Sequence, residues 1–240
     1  FYFLYVLFRN RQKSVISLNP KYFRCGDGIA REVFWVGFPA CILNWMATAS
    51  NVVMNVLIAS YSTVAIAGAG IAKRIDILAF AIAMGISQGV LPLIGYNYAA
   101  RNFERMKAAI WATVKFSILL SCIATVYLFV FASSVARFFI EDTDTVRYGQ
   151  QFLKIICITT PFLSITLIVI SVFQAVGNKV KLLILSLIRK GGIDIPLMFV
   201  LNHFIGLSGI LWAFPIEDVL GTLIAFIMIR PLFKNPIKNN

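Results

Sequence analysis

Residues 85–107 read GISQGVLPLIGYNYAARNFERMK. An apolar run ends in Gly, Asn and Tyr, then in Arg101, Glu104, Arg105 and Lys107, with Pro92 and Gly95 at the break. Upstream the run reaches back to residue 77 without a charge. A stretch of ~20 apolar residues is long enough to cross a bilayer as a helix. The charges at its end then mark arrival at a membrane surface.

The rest of the chain repeats the pattern. Of its 240 residues, 60% are hydrophobic and only 13% charged. Residues 33–59 also lack charge; 108–132 carry only Lys115, and 152–176 only Lys154. Residues 182–204 carry Arg189, Lys190 and Asp194, and 210–229 carry Glu217 and Asp218. Backbone in lipid must satisfy its own hydrogen bonds, so these six segments are expected to be helices. Barrel strands would be shorter and would alternate apolar with polar, and no such alternation runs here. The expected fold is all-α, a six-helix polytopic membrane bundle over 33–229. Before it come the end of a truncated helix (1–8) and a basic cytoplasmic linker (9–32). A cytoplasmic tail (230–240) follows.

The net charge of +12 raises a nucleic-acid partner, but its distribution points to topology. Arg9, Arg11, Lys13, Lys21, Arg24 and Arg31 precede the first segment. Arg101, Arg105 and Lys107 follow the second, Lys179 and Lys181 the fourth, and Arg230, Lys234 and Lys238 the last. The opposite joints, 60–67, 133–149 and 205–209, hold only Arg137 and Arg147, beside Glu141, Asp142 and Asp144. That asymmetry is the positive-inside pattern, and it places both ends of the segment in the cytoplasm of a cell-membrane protein. The expected partner is the lipid bilayer, not nucleic acid. Cys25, Cys41, Cys122 and Cys157 show no metal-binding spacing, and His203 is the only histidine, so no metal site is expected.

Polar groups in a span avoid lipid, so they mark an inward face. Asn44, Thr48, Asn51 and Asn55 recur at helical spacing and form one stripe. The stripe suits a wet cavity or interhelical hydrogen bonds. Ser87 shares a face with Asp76 on the second segment, and Thr160 and Gln174 lie on a polar line along the fourth. These seven neutral residues, Asn44, Thr48, Asn51, Asn55, Ser87, Thr160 and Gln174, are the candidate cavity lining. Gly85 and Gly89, with Ala81, form a small-residue ridge expected to pack against another helix. Lys190 and Asp194 are spaced to neutralise each other on one helix face. Prolines at 39, 92, 161, 196 and 215 fall inside the segments, and broken helices of this kind are frequent in transporters.

An enzyme reading is weak. GISQG at 85–89 matches GxSxG, but no strand precedes it. A rhomboid-like membrane protease would pair Ser87 with His203, yet Gln88 stands where that family has glycine.

VGFPACILNWMATASNVVMNVL (36–57), the block from Ala65 to Ala109 that contains QGVLPLIGYNYAARN, FQAVGNKVKLLILSLIRKGGIDIPL (173–197) and GLSGILWAFPIEDVL (206–220) together resemble the second half of multidrug and toxic compound extrusion (MATE) transporters. The resemblance implies two related six-helix bundles, the first being absent here. It implies alternating access and export of mostly cationic organic compounds in exchange for Na⁺ or H⁺, with no other cofactor. A lipid-linked oligosaccharide flippase on the same helix plan is the alternative. Some family members carry a cation-binding Glu after a proline in their seventh helix, but ACILNWMATA follows Pro39 here without an acid. Others use an Asp in the tenth helix, and residues 152–176 have none. Asp76, Asp194, Glu217 and Asp218 are left as candidates for proton or cation coupling. Pairing with Lys73, Arg74, Arg189 or Lys190 is the competing role.

Overall fold

The structure, a computed structural model, describes residues 28–234. The stretch 1–8, most of the basic linker and Cys25 lie outside the described residues. The described residues divide into two units, up to Gly37 and from Phe38 onward. The described part of the first is the opening of one helix.

Among the described residues the structure is all-α. Helix α1 spans Ile29–Ala59, α2 Thr63–Ala99 and α3 Phe103–Val130. A short α4 (Ala132–Phe139) leads into α5 (Thr143–Cys157) and α6 (Thr160–Val176). Then come α7 (Lys179–Leu187), a π-helical turn (Ile188–Ile193), α8 (Asp194–Ile205) and α9 (Leu207–Lys234). By length and composition α2, α3 and α9 can each cross a membrane, and α5 with α6, bent by 46° at their break, is long and apolar enough only when the two are taken together.

The opening stretch resolves as a helix end and a tight turn. Helix α2 runs through Pro92 to Ala99. Arg101 then takes a left-handed conformation (φ 55°), and the Asn102 side chain caps α3 by accepting from the Arg105 N–H at 3.2 Å. The helix continues through the proline although its ring removes one N–H donor and crowds the carbonyl four residues back, a cost that spanning helices tolerate.

Other boundaries depart from the sequence reading. The joint expected at 60–67 is shorter, since Ser62 caps α2 through the Val64 N–H and helix begins at Thr63. The joint expected at 133–149 is mostly helical, and Asp142 starts α5 by accepting from the Thr145 N–H and hydroxyl. Those two bonds favour the charged form and hold the Asp142 carboxyl below its usual range. The span expected over 152–176 is broken at residues 158–159, with Pro161 in the first turn of α6. Three threonine hydroxyls serve carbonyls around that break. Thr125 and Thr160 donate to the Cys157 carbonyl at 2.8 and 3.0 Å, and Thr159 to that of Ile156 at 2.9 Å.

Helix α6 is the hub, buried almost continuously from Leu163 to Val176. Two apolar clusters form the core, and α6 contributes to the first of them. One joins Ile94, Met106, Ile110, Ile168, Phe173, Leu185 and Leu232. The other joins Met54, Ile58, Ala72, Ile156, Met198, Ile210 and Phe214. Helices α2 and α9 pass from one cluster to the other, and Asp76, Glu217, Asp218 and Thr222 stand at the crossing. By contrast, Trp111, Phe116, Leu119, Ile123 and Val126 of α3 are exposed, a face suited to hydrocarbon. The Gly85–Gly89 ridge does not pack as expected, for a Cβ at either position would meet nothing within 4 Å. The close approaches are elsewhere. At Gly209 a Cβ would lie 2.1 Å from the Leu201 carbonyl oxygen, where α9 folds back on α8.

Candidate functional site

Of the polar residues at the crossing, Glu217 and Asp218 meet Arg189, whose side chain is 2% exposed. A buried guanidinium is costly to dehydrate and persists only where carboxylates meet its fork. Here Nε lies 3.2 Å from Glu217 Oε1, and a terminal nitrogen donates to Asp218 Oδ1 at 2.9 Å. Glu217 is fully buried and Asp218 nearly so. Adjacent carboxylates on α9 would repel each other, and the guanidinium between them removes that penalty. The Asp218 backbone is held in turn. Thr222 Oγ1 lies 2.7 Å from the Asp218 carbonyl, 2.9 Å from that of Phe162, and 3.0 Å from Thr166 Oγ1, which ties α9 to α6.

The π-helical turn carries Arg189 to this place. A wider turn inserts an extra residue into the helix and re-aims the side chains that follow it, and such turns recur at functional sites. Of the expected Lys190–Asp194 pairing, only the Asp194 side is described. Asp194 opens α8, is fully buried, and accepts a hydrogen bond from the Ser50 hydroxyl of α1. The Lys190 side chain lies outside the described residues.

A cavity of 270 Å³ opens beside this cluster. Helix α1 lines it with Asn44, Ala47, Ser50 and Asn51, α2 with Lys73, Asp76, Ile77 and Phe80, and α9 with Phe214 and Asp218. Arg189 and residues near the α5–α6 break complete the wall. Lys73 pairs with Asp76 at 2.8 Å.

The sequence-derived residues divide accordingly. Asn44, Asn51, Asp76 and Asp218 face one cavity. Asp194 and Glu217 lie in the buried cluster. Thr48 and Asn55 are exposed and outside the cavity wall, with the Thr48 hydroxyl donating to the Asn44 carbonyl. Ser87 is buried and donates to the Met84 carbonyl of its own helix at 2.9 Å. The His203 ring stacks edge-on against Phe204, and no hydrogen bond described here joins it to Ser87. Thr160 serves the Cys157 carbonyl at the helix break, and Gln174 lies toward the far end of α6. Ser50, Thr166 and Thr222 were not singled out from sequence, because small hydroxyls in apolar helices usually bond their own backbone. The described residues contain no group of His, Cys, Asp and Glu suited to a metal ion.

The MatE family model matches residues 39–200. The chain is 27% identical over 228 residues to the multidrug export protein MepA of Staphylococcus haemolyticus, covering 95% of this chain and 50% of that protein. It is 28% identical over 225 residues to MepA of Staphylococcus aureus, covering 94% and 49%. The chain thus spans about half the length of the curated relatives it matches. Among solved structures, an outward-facing MATE family transporter superimposes with a TM-score of 0.86 at 18% identity, covering 97% of this chain and 53% of that one. The Vibrio cholerae transporter VcmN in its bent form gives 0.85 at 18% identity, covering 95% and 52%. At that identity the likeness is one of fold.

Proposed function

The chain belongs to the MatE family, and on that premise we propose that it is one half of a multi-pass exporter of organic, mostly cationic compounds. Its partner is a second six-helix bundle, and the substrate path runs between the two. Asn44, Asn51, Asp76 and Asp218 contribute to that path, and inward movement of Na⁺ or H⁺ drives outward movement of substrate. The protein is then a transporter and not an enzyme, in the cell membrane, with the basic joints on the cytoplasmic side.

The observation that carries this reading is the 270 Å³ cavity that brings amides of α1 and acids of α2 and α9 to one wall, within helices whose outer faces are apolar. Polar walls of this kind are costly in lipid and make sense where water and solute pass. A coupling ion acts by its different affinity for the two open states, so its gradient must bias transport. The test reconstitutes the full-length protein in vesicles and follows efflux of a cationic dye under imposed Na⁺ and pH gradients. Efflux driven by one gradient is expected. Efflux indifferent to both would refute the coupling.

A further inference from the structure

We propose that Lys73 is a tethered occupant of a binding site for an organic onium cation. Its Nζ lies 2.8 Å from Asp76 Oδ2 and 4.6 Å from the centroid of the Phe214 ring. A carboxylate on one side and an aromatic face on the other is the chemistry that captures ammonium and related ions, because the ring attracts a cation without hydrating it. Lys73, Asp76 and Phe214 all line the cavity, and Ile77, Phe80 and Leu163 supply an apolar wall beside them. The site therefore has a cation-binding end and room for an apolar body.

Two carboxylates face the cavity, and each already holds a cation of the chain's own. Asp218 is held by Arg189, which is also engaged by Glu217 and is 2% exposed. That cation is fixed. Lys73 differs: its side chain is 21% exposed and that of Asp76 18%. The two are one turn apart on α2, a local pairing that is weak on helix surfaces, and the lysine stem is long enough to carry its ammonium into water. An entering onium ion can displace Lys73 and take its place between Asp76 and Phe214. One cation replaces another, so the charge of the site is unchanged by loading. The exchange makes affinity low by design, which suits a protein that must release what it binds.

This inference deepens the export reading and rests on it for substrate class, but its test reads binding alone. Tetraphenylphosphonium binding to the purified full-length protein in lipid nanodiscs is measured by equilibrium dialysis. Lys73→Met is expected to bind it ~10-fold more tightly than the native protein, since the internal competitor is gone. Adding Asp76→Asn or Phe214→Leu to Lys73→Met should return affinity to the native level or below. Lys73→Gln supplies the same test should the methionine variant fail to fold. Unchanged or weaker binding in a folded Lys73 variant would overturn the proposal, as would a gain that survives Asp76→Asn. The expected pattern in a protein that exports nothing would sustain the site and overturn the export reading.

Discussion

Replacing Arg189 by methionine removes the guanidinium but keeps most of the stem's volume. Glu217 and Asp218 then stay buried without their counter-ion. At separations of 3.2 and 2.9 Å and an effective dielectric of about 20, each contact is worth roughly 5 kcal/mol of Coulomb attraction. Most of that offsets the dehydration of three charged groups, so the net value of the cluster is small. The loss on breaking it is not small, because the dehydration of the two acids remains: about 3–5 kcal/mol. At 1.4 kcal/mol per factor of ten, that is roughly a hundredfold to a few thousandfold in the unfolding equilibrium. The assay is reversible unfolding of the protein in mixed micelles, followed by tryptophan fluorescence. The triple variant Arg189→Met, Glu217→Gln, Asp218→Asn removes the guanidinium together with both acids that meet it and is expected to regain most of the loss. A loss below about 1 kcal/mol for Arg189→Met would refute the reasoning. So would a triple variant no more stable than the single one.

Gly209→Ala should be strongly destabilising, by at least about 2 kcal/mol, because the new methyl would sit 2.1 Å from the Leu201 oxygen and 2.5 Å from its carbonyl carbon. Backbone there cannot yield as a flexible side chain could. Gly85→Ala is the control: its methyl meets nothing within 4 Å, and alanine gains about 1 kcal/mol of helix propensity. Equal losses at both positions, in the same unfolding assay, would contradict the packing of α8 on α9. Orientation is tested by labelling intact cells with an impermeant thiol reagent, after Cys25 and the exposed Cys41 and Cys122 are replaced by alanine. Arg147→Cys should label from outside and Arg105→Cys only after the membrane is opened; the reverse would overturn the inside assignment of the basic joints.

The helices were legible in the sequence because hydrocarbon imposes one rule on every span, and charge-free runs obey it visibly. Breaks within spans were less legible. Pro92 and Pro161 look alike as letters, yet α2 runs straight through the first while the second opens α6 after a 46° bend. At Pro161 the carbonyl four residues back, that of Cys157, is served by Thr125 of α3 from 32 residues away in sequence, a contact that no local pattern announces. The site was half legible. The acids stood out because they are rare in such a chain, but the hydrogen bond that Asp194 accepts from Ser50 of a different helix has no signature in spacing along one helix. The π-helical turn that redirects Arg189 has no simple signature beyond the charges and glycines at 189–192 that interrupt the apolar run.

The two cations of the cavity wall carry the synthesis further. A lipid-facing bundle could have avoided Arg189, Glu217 and Asp218 altogether, since well-packed apolar residues would be as stable or more so. Their retention at the point where α2 and α9 cross between the two apolar clusters needs another reason than stability. A fixed pair at Asp218 and a displaceable pair at Asp76 give one wall both a permanent charge pattern and an exchangeable place. The fixed pair keeps α9 registered on the π-helical turn, so that Phe214, one turn before Asp218, is held against Lys73. Rigidity at Arg189 is thus what lets Lys73 be the side chain that moves.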